Sequence, residues 1–207
     1  MHYLGTSGTP GRTGLTRGGL LRAAVGTTAA SVLGSTSFAQ AASGPLTDLD
    51  LALARLAVAV ELLSIDVLST AIDSKKFGGD ELRALQRARF NEDEHLGAVS
   101  EILSGAGQTP ETADDFDFTF PARAFATRRS IAELGVTLET VAVGAYLGAA
   151  DAFVPPDLKT TAARIAANES EHLSVFSRIA YRRPIGISFP ASLDYATASA
   201  ALDPYLG

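Results

Sequence analysis

The pentapeptide Asn-Glu-x-Glu-His occurs twice in this chain of 207 residues, beginning at Asn91 and again at Asn168. In each copy a Glu precedes a His by three residues, and the two pairs are Glu92 with His95 and Glu169 with His172. Residues three apart on an α-helix lie on one face, about one turn from each other, so both can reach the same ion. The repeat therefore predicts two helices that each present a metal-binding face.

Two further glutamates stand alone in apolar sequence. Glu61 is the only charged residue in LAVAVELLSI, and Glu139 is the only one in LGVTLETVAVGAYLGAA. A buried carboxylate is costly unless a counter-charge or a metal ion meets it, and no Lys or Arg lies within a helical turn of either residue. The alternative, in which each Glu-x-x-His is a solvated local pair, does not account for these two glutamates.

The spacing of the glutamates indicates an internal duplication. Glu61 precedes Glu92 by 31 residues, and Glu139 precedes Glu169 by 30. Each unit thus offers a lone Glu on one helix and Glu-x-x-His on the next, which is the ligand set of a di-metal carboxylate site in a four-helix bundle. The order resembles that of the ferritin-like superfamily. The predicted metal ligands are Glu61, Glu92, His95, Glu139, Glu169 and His172.

A narrower resemblance lies in residues 116–150, where DFTFPARAF is followed by ELGVTLETVAVGAYLGAA. This stretch is similar to the exported ferritin-like domain family that includes desiccation-related proteins, and the similarity extends over residues 49–182. Family members often carry Glu-Asp-Val-Gly-Val where this chain has Glu139-Thr140-Val141-Ala142-Val143. Thr140 therefore occupies the place of an acid.

The resemblance implies that Glu92 and Glu169 bridge two metal ions, while Glu61 and Glu139 each bind one ion as terminal ligands. Four carboxylates balance the charge of two divalent cations, and the two imidazoles bind as neutral ligands. Mixed carboxylate and imidazole ligation suits Fe, Mn or Zn, and the chain has no Cys that would favour copper(I) or an iron–sulfur cluster. We expect two Fe ions, with Mn as the alternative.

Residues 1–41 have the features of a cleaved export signal. They contain three Arg and no acid, then a run of small and apolar residues, then Ala39-Gln40-Ala41, a pattern for cleavage before Ala42. The stretch TRGGLLR is similar to the twin-arginine consensus, with Gly18 in place of the second Arg. We expect a periplasmic or extracellular protein.

The remaining chain is acidic. Residues 1–41 hold three of the 17 basic side chains and none of the 23 acidic ones, which leaves a formal charge of −9 on residues 42–207. This charge disfavours nucleic acid as a partner. The apolar stretch 134–150 is short for a membrane span and contains Glu139, so we interpret it as a core helix. A homo-oligomer is compatible with the sequence.

Helical periodicity with cap and breaker residues predicts an all-α fold, a ferritin-like four-helix bundle of two antiparallel hairpins. Thr47 or Asp48 caps the first helix and Asp80 caps the second. Gly135, Gly144 and Gly148 would allow neighbouring helices to approach closely. The predicted helices span 48–74, 80–105, 127–153 and 157–181.

A long crossover at residues 108–126 joins the predicted hairpins. Phe116, Phe118 and Phe120 alternate there, and we expect them to dock as an extended loop rather than a strand. From about residue 183 the domain, which covers 42–207, continues as a C-terminal tail with one short helix near 192–202.

The predicted ligands suit an exported di-iron protein that oxidises Fe(II) or reacts with O₂ or peroxide in stress protection. Tyr146, seven residues after Glu139, could donate a hydrogen bond or an electron, although a core tyrosine with a satisfied hydroxyl has the same signature. One alternative is manganese catalase-like peroxide dismutation. Another is a non-enzymatic stress or envelope protein that metal stabilises. Iron storage fits poorly with the long crossover, the tail and the export signal.

Overall fold

The computed structural model describes residues 45–207, which form helices and connecting segments without a β-strand. The prediction of an all-α fold with four long helices is confirmed. The predicted export signal at residues 1–41 lies outside the described residues. The helices are α1 (Asp48–Asp73), α2 (Gly79–Gly105), α3 (Arg128–Ala152), α4 (Pro156–Ile179) and the short α5 (Tyr195–Leu202).

Helix α1 starts at a capping box, in which side chains bond the free amides of the first turn. The hydroxyl of Thr47 accepts a hydrogen bond from the Asp50 amide at 3.1 Å, and the Asp50 carboxylate accepts one from the Thr47 amide at 2.8 Å. The buried Asp50 also accepts from the Val154 amide at 2.9 Å. The first turn of α1 is thereby tied to the turn between α3 and α4.

The other long helices begin close to their predicted starts. Thr127 caps α3 as its hydroxyl accepts from the Ser130 amide at 3.0 Å, and Pro156 is the first residue of α4, where its missing amide hydrogen costs nothing. The prediction for α2 was wrong in one detail. Its N-cap is Gly78, and Asp80 lies in the first turn, where a negative charge interacts favourably with the helix dipole.

The four long helices pack as two antiparallel hairpins, α1 with α2 and α3 with α4. Across the hairpins α1 contacts α3 and α2 contacts α4, so each helix has two neighbours in the bundle. Helices α1 and α3 are buried on most faces, in agreement with their apolar sequences. Of the helices in the described part, α3 is long and apolar enough to cross a membrane, but 72% of that stretch is buried within the bundle.

The crossover docks against the outside of the bundle through its aromatic side chains. Phe116 stacks on Phe118 with ring centroids 5.5 Å apart, and Phe120 meets Phe125 edge to face at 5.1 Å. All four pack against the main hydrophobic core. Apart from a single 3₁₀ turn at Ala113–Asp115 the crossover has no regular structure, so the expected docked loop is what forms.

Polar contacts fix the crossover at its start and in its second half. Arg55 of α1 forms an ion pair with Glu111 and a hydrogen bond of 2.9 Å with Gln108. Further along, the Thr119 amide donates to the carbonyl of Tyr205 at 3.0 Å. The C-terminal tail therefore holds the crossover in place.

The glycines of α3 permit close approach, but two of the three approach the tail. A Cβ on Gly135 would lie 2.4 Å from the ring of Phe176 in α4, so a glycine at this position allows α3 and α4 to pack closely. A Cβ on Gly148 would lie 1.7 Å from the carbonyl oxygen of Leu193, and one on Gly144 would lie 2.7 Å from the Leu193 side chain. The Leu193 amide also donates to the Gly144 carbonyl at 2.9 Å. The expected helix contact thus exists at Gly135 alone among the three.

Replacing Gly148 by Ala should separate the tail from α3, because the added methyl group meets a backbone carbonyl that has little room to move. We expect the free energy of unfolding to fall by about 1–3 kcal/mol. Gly97 of α2 is the matched control, since its Cβ would meet nothing within 4 Å. Gly97→Ala should raise stability by roughly 0.5–1 kcal/mol. Urea unfolding of both variants in the same metal state measures the difference, and a Gly148→Ala protein as stable as Gly97→Ala would contradict the packing described.

Candidate metal centre

The six side chains predicted from the sequence come together inside the bundle. Helices α1 and α3 each contribute one Glu, and α2 and α4 each contribute one Glu and one His. They form two groups of four, and within each group one ligand atom per residue lies within 4.8 Å of the others. The groups are Glu61, Glu92, His95, Glu169 and Glu92, Glu139, Glu169, His172. Glu92 and Glu169 belong to both groups.

Helical spacing produces the local pairs as expected. His95 Nδ1 lies 3.1 Å from Glu92 Oε2, and His172 Nδ1 lies 3.0 Å from Glu169 Oε2. The remaining glutamate of each pentapeptide, Glu94 or Glu171, is exposed on another face of its helix. The structure therefore agrees with the predicted assignment of the inward face.

Each imidazole also contacts the opposite Glu-x-x-His helix. His95 Nδ1 lies 3.0 Å from Glu169 Oε1 and 3.6 Å from Glu61 Oε2, and His172 Nδ1 lies 3.0 Å from Glu92 Oε1. The two rings are 6.2 Å apart between centroids. The centre is therefore one connected cluster that spans both hairpins.

The four carboxylates are almost fully buried, none of them more than 2% exposed. Within residues 45–207 no Lys or Arg forms a salt bridge with them, and three of them, Glu61, Glu92 and Glu169, contact an imidazole. One oxygen of each carboxylate also lacks a hydrogen-bond partner in this part of the chain. These oxygens are Glu61 Oε2, Glu92 Oε1, Glu139 Oε2 and Glu169 Oε1.

The unsatisfied oxygens show that a cation fits the centre. Glu92 Oε1 and Glu169 Oε1 do lie 3.0 Å from an imidazole nitrogen, but each of these nitrogens also contacts an oxygen of another glutamate and can carry only one hydrogen. A buried acceptor without a partner costs about 1–3 kcal/mol, more when charged. Four such oxygens in one cluster are a ligand set that metal ions would satisfy.

Two neighbouring side chains orient members of the cluster. The Tyr146 hydroxyl donates a hydrogen bond to Glu61 Oε1. Tyr146 thus orients the glutamate of α1 and not Glu139 of its own helix. Asn91 Nδ2 lies 3.2 Å from His172 Nε2, the ring nitrogen directed away from the carboxylates. Sequence reasoning missed the role of Asn91.

The side chains around the cluster make different contacts in the two units. Asn168 occupies the position equivalent to Asn91, but it bonds Glu171 at 3.3 Å. Thr140, which stands in the place of an acid, donates its hydroxyl to the Val136 carbonyl of its own helix at 2.6 Å. Neither side chain hydrogen-bonds a member of the cluster, so the repeat in the sequence does not extend to its surroundings.

Burial controls the protonation of the carboxyl groups. It raises the pKa of Glu61 and of Glu139 well above the ordinary value, and the charges of Glu92 and Glu169 raise it further. Burial acts in the same direction on Glu92, but hydrogen bonds with His172 and His95 outweigh it and lower the pKa of Glu92 to about 2. Glu61 and Glu139 therefore hold protons more readily than Glu92.

Burial by itself would lower the pKa of both imidazoles, but their carboxylate contacts outweigh it. Contacts with Glu169, Glu61 and Glu92 raise the pKa of His95 to about 12. Contacts with Glu169 and Glu92 raise the pKa of His172 to about 9. Without a bound cation, two imidazolium groups would thus supply the positive charge that the carboxylates need.

The metal-free protein should lose stability as the pH rises. A group whose pKa is raised by folding stabilises the protein fully at pH values below its ordinary pKa. This contribution is lost as the pH rises past the pKa of the group in the folded protein. For His172 this interval extends from 6.5 to about 9, and the raised pKa values of Glu61 and Glu139 act with the same sign. The lowered pKa of Glu92 acts with the opposite sign, from 4.5 down to about 2.

We therefore expect chelator-treated protein to be most stable near pH 4.5, the ordinary pKa of Glu, and to weaken toward pH 9, with the loss from His172 beginning near pH 6.5. Urea unfolding across this range measures the effect, with Glu94→Gln as a control for surface charge. Stability that increased from pH 6.5 to 9 would contradict the protonation states assigned to the centre.

Comparison with known proteins agrees with this geometry. The sequence model of a family described as a ferritin-like domain matches residues 38–182. The matched region contains all six side chains of the cluster and ends where α4 gives way to the tail. No curated protein matches the chain.

Proposed function

The chain belongs to the ferritin-like domain family, and from that premise we propose that it is a di-iron carboxylate protein that oxidises Fe(II) with O₂ or peroxide. The observation that carries the proposal is the overlap of the two four-residue groups. Because Glu92 and Glu169 belong to both, two ions held by these groups would be adjacent and share ligands. Adjacent ions can take part together in a two-electron reaction.

The proposed roles follow from membership in the groups. Glu92 and Glu169 would bridge the ions, Glu61 and His95 would complete one position, and the remaining pair, Glu139 and His172, would complete the other. Each carboxylate has one oxygen free of hydrogen bonds within the described residues, which supports its availability to a metal. Charge also supports the pair, since four carboxylates balance two divalent ions.

The donor set supports iron over manganese. Carboxylate oxygen accommodates both metals, whereas imidazole nitrogen suits iron better than manganese. The centre has one imidazole in each group, His95 in the first and His172 in the second. Among the described residues no sulfur atom belongs to either group, which disfavours copper(I).

When bound, two Fe(II) ions supply two electrons, one each, which is the number that reduces hydrogen peroxide to two waters when two protons are taken up. The protein orients the ligands for this chemistry. Tyr146 holds Glu61 Oε1 and leaves Oε2 free, and Asn91 contacts His172 Nε2 and leaves Nδ1 directed at the carboxylates. The burial of the centre keeps bulk water away from it.

Stress protection outside the cytoplasm belongs to the same proposal. The leader-like residues 1–41 support export, and the removal of Fe(II) and peroxide together would limit oxidative damage there. The alternatives are a manganese catalase-like enzyme and a non-enzymatic protein that metal stabilises. All three use the same ligands, so turnover has to distinguish them.

The function is tested by anaerobic loading with Fe(II) followed by exposure to O₂ or hydrogen peroxide, with ferric absorbance as the readout. Oxidation faster than that of free Fe(II) supports the proposal. Release of O₂ from peroxide by the Mn(II)-loaded protein would select the catalase-like alternative instead. Bound metal that raises stability without turnover of any kind would select the non-enzymatic one.

Replacing Glu169 by Ala should abolish binding of the metal pair, because it removes one of the two shared ligands. Glu171→Ala is the matched control, two residues away on the exposed face of the same helix, and it should retain both ions. Elemental analysis and Fe(II) titration give the number of ions per chain. A Glu169→Ala protein that still bound two ions would refute the ligand assignment.

Metal loading should release protons, because the imidazoles and the two carboxyl groups with raised pKa values must lose theirs to bind a cation. Near pH 6 we expect about four protons per pair of ions, two from His95 and His172 and two from Glu61 and Glu139. Titration with Zn²⁺ in buffers of different ionisation enthalpy counts them. Loading without proton release would show that the carboxylates and imidazoles are already free of protons.

A further inference from the structure

A small apolar pocket lies between α1 and α3, one turn from the metal centre. Leu53, Ala57 and Val60 line it from α1, and Ala145, Tyr146 and Ala149 line it from α3. The short side chains of the alanines leave a gap that longer residues would fill. The space accommodates about one molecule of the size of water.

The pocket and the centre share a wall. Tyr146 lines the pocket, and its hydroxyl donates to Glu61 Oε1. Val60 precedes Glu61 directly, and Ala57 lies one turn before it on the same helix. A molecule in the pocket is therefore separated from the first group of the centre by the Tyr146 side chain and the adjacent backbone of α1.

The pocket also approaches the surface. Ala57 and Ala145 each keep 8% of their surface accessible, whereas Ala54 and Ala142, on the same two helices, are at most 1% exposed. The alanines of the pocket are thus less completely covered than neighbours elsewhere on α1 and α3.

The lining selects against polar occupants. Water in a protein interior usually makes two to four hydrogen bonds, about three on average. Among the side chains around the pocket the Tyr146 hydroxyl is the one polar group, and it is already engaged with Glu61. Water or peroxide would therefore lose hydrogen bonds on entry, whereas an apolar diatomic molecule would lose none.

We propose that this pocket binds dioxygen and delivers it to the Glu61 side of the centre. The inference rests on the proposed function, because it assigns an entry site for the oxidant of that reaction. It also assigns a direction of entry. Dioxygen would approach between α1 and α3, on the side of Glu61 and His95, and not on the side of Glu139.

The binding step is tested without redox chemistry, in protein loaded with Zn²⁺, which cannot reduce dioxygen. Dissolved O₂ under pressure is paramagnetic and speeds the relaxation of nearby methyl protons in NMR spectra. We expect a several-fold larger enhancement at Ala145 and Ala149 than at Ala166. Ala166 is a matched control, since it is 4% exposed against 5% for Ala149 and lies away from the pocket. Equal enhancement at the three methyl groups would overturn the proposal.

The delivery step is tested by filling the pocket. Ala145→Leu should slow oxidation of bound Fe(II) by O₂ several-fold while leaving the number of bound ions and the reaction with peroxide unchanged. Ala152→Leu, at the exposed end of the same helix, is the control and should match the wild type. If Ala145→Leu fails to fold, the smaller change Ala149→Val replaces it.

The outcomes separate this inference from the function on which it rests. A folded, filled variant that oxidises Fe(II) with O₂ as fast as the wild type would overturn the delivery role, even though the protein was active. A wild-type protein without Fe(II) oxidation would refute the proposed function. The relaxation experiment would still decide in that case whether dioxygen occupies the pocket.

Discussion

The structure depends on the requirement that four buried carboxylates have positive charge beside them. Glu61, Glu92, Glu139 and Glu169 come from four different helices, and none of them is more than 2% exposed. Within residues 45–207 the positive partners of Glu61, Glu92 and Glu169 are two imidazoles, each of which reaches across from one Glu-x-x-His helix to the other. The centre therefore holds both hairpins together when positive charge balances the carboxylates. Without that charge, repulsion between the carboxylates opposes the association of the hairpins.

The two units supply equivalent ligands but unequal surroundings. Tyr146 bonds Glu61 of the first group, and Asn91 contacts His172 of the second. The His95 side chain is 12% exposed and the His172 side chain 4%. The apolar pocket lies on the Glu61 side. Two ions held here would consequently differ in their access to small molecules, which is a reason to expect them to differ in reactivity.

Much of the fold and of the centre was predictable because the relevant signals are local. Caps, prolines and apolar periodicity placed the long helices to within a few residues, apart from the cap of α2, where Gly78 replaces the expected Asp80. Spacing of three placed Glu92 beside His95, and isolation in apolar sequence singled out Glu139. The contacts of Gly148, by contrast, were not predictable, since its partner Leu193 lies 45 residues away in a tail whose path no periodicity encodes.

The sequence by itself determined the helices, the two-unit order and the identity of the six clustered side chains, because each of these follows from the geometry of one helix and from the cost of burying an unpaired carboxylate. Only the tertiary structure decided which glutamate accepts the hydrogen bond of Tyr146 and where the pocket lies. Those features depend on distances between helices. Such distances are set by side-chain packing across the whole bundle and not by neighbours along the chain.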